Sequence, residues 1–309
     1  KAQYMQTCLW RLIKNEEQLN EEKLNEAAAL IREGEVVAFP TETVYGLGAN
    51  GLDGSAVRKI FAAKGRPADN PLILHIAEKN EIAQLTTGLS ANAQALMQAF
   101  WPGPLTLVVP KSALIPDEVS AGLDTVAVRM PVHPVARRLI ALAGCPIAAP
   151  SANKSGKPSP TNAQEVQEDM NGLIAGIIDG GSSDIGVEST VVDTTTPVPV
   201  ILRPGGITKE MLEEVLGAVE IDPALAGNSE CRPKAPGMKY RHYAPQAPMY
   251  LFIGNEAPLQ MKAAIAKGLA SGKKIGVIAN AAVAASLPKD SNLVIRNWQE
   301  DPAVLAENL

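Results

Sequence analysis

The sequence predicts an α/β chain of two domains, and three observations carry that reading. Helix-periodic and strand-like segments alternate through residues 24–216; the alternation fades into a Pro-rich stretch; it then restarts. The length of 309 residues also exceeds the usual single domain.

Taken in order, Leu24, Ala27, Ala28 and Ile31 recur at i, i+3, i+4 and i+7. Glu21 and Glu22 occupy the first turn and Gly34 supplies the stop, so a helix is expected there. Residues 35–39 form a β-branched run ended by Pro40, which reads as a strand. Helical 55–64 precedes a strand at 72–76, and helical 90–100 precedes a strand at 105–109. A strand at 126–130 and a helix at 134–143 follow. Strands at 147–149, 174–179, 187–193 and 198–202 and a helix at 208–216 complete the first domain. Consecutive strands near its end predict a mixed sheet rather than an all-parallel one.

Residues 217–248 contain Pro223, Pro233, Pro236, Pro245 and Pro248 and read as a linker. Its middle, APGMKYRHYAP, is richer in binding side chains than a plain spacer. A strand at 249–253, helical 257–270, a strand at 274–279 and helical 281–287 then predict a small α/β domain with a parallel sheet. The expected division is therefore 1–216, a linker at 217–248, and 249–309, the last domain being incomplete at its end.

Composition narrows the function. Hydrophobic residues make up 46% and charged residues 20%, ordinary values for a globular chain able to bury a core without staples. A net charge of −5 argues against a surface built broadly for nucleic acid, though it permits one basic pocket. Cys8, Cys145 and Cys231 show no CxxC or zinc spacing, and their sparse, odd count fits a reducing cytosol. With neither a bilayer-length apolar run nor a signal-peptide pattern, a cytoplasmic location is expected.

Four polar strings stand out. PTETVYGLG leaves the first strand, a usual binding position, and brings Thr41, Thr43 and Tyr45. Its Gly46, Gly48 and Gly51 formally match GxGxxG, but they follow the strand at a distance, and a tight turn explains them as well. KGRPADNPL places Lys64 and Arg66 in a loop pinned by Pro67 and Pro71, with Arg58 and Lys59 upstream. Cations favour a helix C-terminus in any case, but a stiff loop carrying them also suits a polyphosphate. His75 follows in an apolar strand, where a lone histidine is ordinarily a core residue.

PSANKSGKPS formally spells SxxK at Ser151–Lys154, yet SDN, KTG and GxSxG are all missing, which excludes the usual serine hydrolases. Its hydroxyls, amide and lysines make a better anion pocket. GVESTVVD and ILRPGG bring Ser189 and Arg203. There is no GxxxxGK[ST], so a nucleotide here is not held by a P-loop, and any metal should arrive with phosphates.

Together PTETVYGLG, KGRPADNPL, PSANKSGKPSPT, GVESTVVD, ILRPGG and the linker string PGMKYRHYAP resemble the threonylcarbamoyl-AMP synthase family in its long, two-domain form. The resemblance spans residues 24–245. It implies a twisted mixed open sheet of the YrdC-like kind with a smaller Rossmann-like C-terminal domain. It implies condensation of L-threonine, bicarbonate or carbon dioxide, and ATP, with pyrophosphate release and Mg²⁺ on the triphosphate. By similarity Lys64, Arg66, Asn70, Thr125, Ser151, Asn153, Ser159 and Arg203 face the nucleotide, and Tyr243 folds back to close the groove. Thr43, His75, Arg129, Ala149 and Ser189 bound the threonine, Arg129 as clamp for its carboxylate. A downstream tRNA threonylcarbamoyl transferase is the implied partner, with no strong direct nucleic-acid binding. Two rival readings are a passive RNA-binding groove, weakened by the acidic total, and a carbamoyl-phosphate enzyme, weakened by the missing CxxC pairs.

Overall fold

The computed structural model describes residues 6–12, 17–226 and 247–298. The chain divides into two compact units, Lys1–Ala244 and Pro245–Leu309. Helices of the first unit are α1 (Glu17–Arg32), α2 (Gly54–Lys64), α3 (Ile82–Leu85), α4 (Ala91–Phe100), α5 (Asp117–Ser120), α6 (Pro134–Ala143), α7 (Ala163–Met170) and α8 (Lys209–Leu216). Its strands are β1 (Cys8–Arg11), β2 (Val37–Phe39), β3 (Gly46–Asn50), β4 (Ile73–His75), β5 (Leu105–Pro110), β6 (Thr125–Arg129), β7 (Ile147–Ala149), β8 (Gly176–Asp179), β9 (Thr190–Asp193), β10 (Val200–Arg203) and β11 (Glu220–Ile221). They form one sheet in the order β1-β8-β2-β3-β7-β4-β6-β5-β9-β10-β11. The sheet is mixed, as the consecutive strands predicted: β4 runs parallel to β6 and antiparallel to β7, and β5 parallel to β9 and antiparallel to β6.

Local chemistry sets the helix ends. The Asp53 carboxylate accepts from the Ser55 amide to start α2, and Gly65, at φ 61°, takes the left-handed conformation that stops it. Pro134 sits in the first turn of α6 beneath a His133 cap, and Gly144, at φ 67°, ends it. The predicted stripe Leu24, Ala27, Ala28 and Ile31 is buried in a cluster with Leu139 and Ile140 of α6 and with Trp10 and Phe39.

The central strands alternate. Leu74, Leu107, Val128, Val192 and Ile201 join the main core, which also takes Ile60 of α2 and Leu96 of α4. Their neighbours Ile73, Val108, Ala127, Val191 and Leu202 face the other way and form a thin apolar layer of their own. That second face carries the groove described below.

The structure departs from the sequence reading at several elements. Gly46 and Gly48 lie in a strand, β3, antiparallel to β2 and β7, and only Gly51 lies in the turn that follows it. A Cβ on Gly48 would lie 2.7 Å from both Phe39 Cε1 and Ile147 Cγ2, so the phenyl ring occupies the space a side chain would need. Neither β1 nor α7 was foreseen. The first sheet also runs past residue 216, because β11 pairs parallel with β10.

In the second unit, α9 (Ala257–Ala270), β12 (Ile275–Asn280), α10 (Ala281–Ala285) and β13 (Leu293–Trp298) follow one another. The two strands pair in parallel, and Ile265, Val277, Ala279 and Leu287 form a small core. The strand expected at 249–253 is irregular instead, with Met249, Tyr250, Leu251 and Ile253 all exposed. No helix among the described residues is long and apolar enough to cross a membrane.

The packing of Phe39 over the glycines is open to test. Gly48→Ala should cost about 1–3 kcal/mol by overpacking, read as a lower urea midpoint at unchanged slope. Wild-type stability would show that the ring is free to move aside.

Candidate active site

A groove enclosing about 710 Å³, open solvent included, lies on the second face of the central strands. Strand parity explains most of its lining. On β4, Ile73 and His75 share one face; on β6, Arg129 shares that face with Ala127. Ala149 of β7 pairs with Ile73 and brings the antiparallel neighbour to the same place. Arg203 would point to the opposite face from Leu202 by simple alternation. A register shift in β10 between Ile201 and Arg203 sets Arg203 against Val191, and the bulge turns the guanidinium into the groove.

Arg129 is almost fully buried. Its Nη2 donates to Glu42 Oε1 at 2.6 Å, Nη1 to Thr43 Oγ1 at 2.9 Å, and Nε to the Gly103 carbonyl at 3.3 Å. Such a buried pair is weak evidence for stability, but three bonds fix the plane of the guanidinium. The Thr41 hydroxyl donates to the Val44 carbonyl at 2.6 Å and lies 2.9 Å from Thr43 Oγ1, shaping the loop that delivers Thr43. Burial, then the charges of Arg129 and Arg203, push the His75 pKa down to about 3, so the imidazole is neutral in any physiological buffer. Its Nδ1 is buried without a hydrogen-bond partner among the described residues.

Across the groove, Lys64 ends α2 and donates from Nζ to the carbonyls of Ser151 at 2.5 Å and Asn153 at 2.6 Å. Burial lowers its pKa to about 7, helped by Arg66 and opposed by Asp169. Arg66 donates to the Asn70 carbonyl at 3.0 Å and lies 5.7 Å from the centroid of the Phe61 ring. The Asn153 amide donates to the carbonyls of Lys154 and Lys157, closing the loop that follows β7. Lys157 pairs with Asp169. Ser189 Oγ accepts from Arg203 Nη2 at 3.1 Å and meets Thr106 Oγ1 at 2.8 Å.

Of the fourteen residues that the resemblance assigned to a ligand, ten therefore line one groove: Lys64, Arg66, Ser151, Asn153 and Arg203 with Thr43, His75, Arg129, Ala149 and Ser189. Three others are placed differently. Asn70 is fully buried behind Arg66 and offers it a carbonyl. Ser159 donates to Glu188, and it is Glu188 that lines the groove. Thr125 opens β6 opposite Pro110, about 13 Å along the strand from Arg129. Tyr243 lies outside the described residues.

Glu188 was not anticipated as a groove residue, although it sits inside the string quoted for Ser189, whereas Lys157 joins the groove as one of the two lysines expected of an anion pocket. Tyr45 is fully buried in its ring, and its hydroxyl donates to the Gly181 carbonyl at 2.7 Å. The arrangement can hold a polyanion among five cations and, beside them, a small molecule with a carboxylate and a hydroxyl.

Comparison with known proteins is consistent with that chemistry. The family model described as Telomere recombination matches residues 29–205, and the model of the threonylcarbamoyl-AMP synthase C-terminal domain matches 207–309. The chain is 56% identical over 269 residues to the threonylcarbamoyl-AMP synthase of Pyrococcus abyssi, covering 86% of this chain and 79% of that one. It is 51% identical over 276 residues to the Bacillus subtilis protein of the same name, covering 89% and 79%. A crystal structure of P. abyssi Sua5 complexed with L-threonine superposes with a TM-score of 0.87 at 49% identity, covering 98% of this chain and 86% of that one.

The buried lysine generates a prediction. Its pKa is about 7 folded against 10.5 unfolded, so the unfolded chain binds more protons between those values. Stability should therefore rise with pH from about 7 to 10.5, with the penalty complete below 7. Relative to Lys64→Met, the wild type should gain about 2–3 kcal/mol between pH 7 and 9 in urea unfolding. Parallel pH profiles would show that Lys64 stays charged in the fold.

Proposed function

The chain belongs to the threonylcarbamoyl-AMP synthase family, and from that premise we propose how its groove performs the reaction. The protein is an enzyme of tRNA threonylcarbamoyladenosine biosynthesis that condenses L-threonine, bicarbonate or carbon dioxide, and ATP to threonylcarbamoyl-adenylate. We assign it to the nucleotidyltransferases: the threonine nitrogen takes up carbon dioxide, a carbamate oxygen attacks the α-phosphorus, and pyrophosphate leaves.

The observation that carries this reading is the gathering of Lys64, Arg66, Lys157, Arg129 and Arg203 around one groove with a neutral His75. The attacking atom belongs to the substrate, so the enzyme has to position two ligands and neutralise charge on the phosphates. Lys64, Arg66, Ser151, Asn153 and Arg203 form the nucleotide side in this proposal. Lys64 is poised to regain its proton when a triphosphate approaches, since an adjacent anion reverses the effect of burial. Asn70 supports Arg66 from behind. A nucleotide reaching Thr125 would do so with the end remote from the reacting phosphate.

Arg129, held by Glu42 and Thr43, is the clamp for the threonine carboxylate. His75, Ala149 and Ser189 bound the rest of that ligand. His75 being neutral, its ring can exchange a hydrogen bond with a hydroxyl without adding charge. Mg²⁺ would arrive on the triphosphate, where it would supply further charge neutralisation. The product would pass to a tRNA threonylcarbamoyl transferase.

The test is pyrophosphate release from ATP with bicarbonate, comparing L-threonine, L-serine and no amino acid. Release should depend on threonine and vanish without bicarbonate. Arg203→Ala and Lys64→Ala should each lower turnover about 10²–10³-fold. Release indifferent to the amino acid would overturn the reading.

A further inference from the structure

The groove contains one acidic side chain that the reaction as described does not use. Among the described lining residues, five are cationic and only Glu188 carries a carboxylate. Despite that surrounding it forms no ion pair with any described residue. Its Oε1 accepts from the Ser159 hydroxyl. No described group bonds its other oxygen.

Close packing fixes the main chain at Glu188. Gly205 packs flush against it: a Cβ there would lie 2.3 Å from the Glu188 carbonyl oxygen and 2.4 Å from the Thr190 nitrogen. Thr190 in turn donates its amide to the Pro104 carbonyl at 3.0 Å. Glu188 directly precedes Ser189, whose hydroxyl meets Arg203 and Thr106. The Glu188 main chain thus adjoins Ser189, and its carboxylate, bonded by Ser159, lines the same groove as His75 and Arg129.

Threonine enters as a zwitterion, and its ammonium group has to sit in a groove lined by the cations Arg66, Arg129, Lys157 and Arg203. A nitrogen that keeps three protons also has no lone pair with which to attack carbon dioxide. One carboxylate at this position meets both needs. We propose that Glu188 binds the threonine ammonium and takes its proton.

An N–H bond of the ammonium breaks and the proton passes to Glu188 Oε2, leaving the neutral amine. The nitrogen lone pair then forms the N–C bond with carbon dioxide, and the second proton of that nitrogen leaves to solvent as the carbamate forms. Glu188, now neutral, no longer repels the new anion and can donate a hydrogen bond to it. This proposal rests on the synthase reading and adds the group that prepares the substrate's nitrogen.

The experiment uses the full chain and has a binding arm and a kinetic arm. Calorimetry compares L-threonine with 3-hydroxybutanoate, which keeps the carboxylate and hydroxyl but lacks the ammonium. Wild type should prefer threonine strongly. Glu188→Gln, which preserves the shape, should lose at least tenfold in threonine affinity with little change for 3-hydroxybutanoate. Its pyrophosphate release should fall about 10²-fold or more near neutral pH and recover as the pH rises and free amine becomes abundant, since general-base catalysis is worth about 10²–10⁴-fold.

Ser159→Ala, which removes the hydroxyl holding Oε1 but keeps the charge, should retain the discrimination. Equal loss of both ligands in Glu188→Gln, an equal effect from Ser159→Ala, or an unchanged pH profile would overturn the proposal. Wild type that binds threonine selectively yet releases no pyrophosphate would overturn the synthase reading alone, because the binding arm needs no turnover.

Discussion

A β-strand sends alternate side chains to opposite faces of its sheet, and the functional half of this protein depends on that constraint. In β4, β5, β6, β9 and β10 one parity fills the main core with Leu74, Leu107, Val128, Val192 and Ile201. The other parity is left to face outward, apolar at Ile73, Val108 and Ala127 and polar at His75 and Arg129. A core residue and a groove residue are thus adjacent in sequence, and a one-residue slip in any of these strands would exchange them. The single place where alternation gives the wrong answer is Arg203, and there the strand bulges.

Burial of like charges is the second organising fact. Burial holds His75 neutral with help from Arg129 and Arg203, and burial lowers Lys64 with help from Arg66. Each cation is committed before any ligand arrives: Arg129 to Glu42 and Thr43, Lys64 to two carbonyls, Lys157 to Asp169. These bonds set the groove's shape in advance, which lowers the reorganisation demanded of the site when a polyanion binds. They also explain why supporting residues such as Asn70 and Ser159 carry sequence signals as clear as those of the groove itself. Asn70 holds Arg66, and Ser159 holds Glu188.

The order of helices and strands in the first unit was legible because each element repeats with the period of its own geometry. The stripe on α1 is read directly from the chain. Strand β3 was not legible: Gly46 and Gly48 are poor strand formers, and only the Phe39 ring lying across them makes glycine the residue that fits. The segment at 249–253 failed in the other direction. It has the apolar run of a strand, yet β12 pairs with β13 and the run stays exposed, because strand formation depends on a partner that local composition does not specify.

Resemblance to a family named the ten residues that line the groove, and the sequence by itself determined the α/β class and the mixed sheet. Those are properties of short segments, since helix period, strand period and loop stiffness are local. Tertiary structure alone decided that these segments, up to 160 residues apart from Thr43 to Arg203, meet on one sheet face. It also decided that Glu188 stands in the groove without an ion pair to any described residue while Ser159 stands behind it, and that Thr125 lies at the far end of its strand. Register and burial arise from pairing between strands distant in the chain, and no local pattern encodes which oxygen is left without a partner.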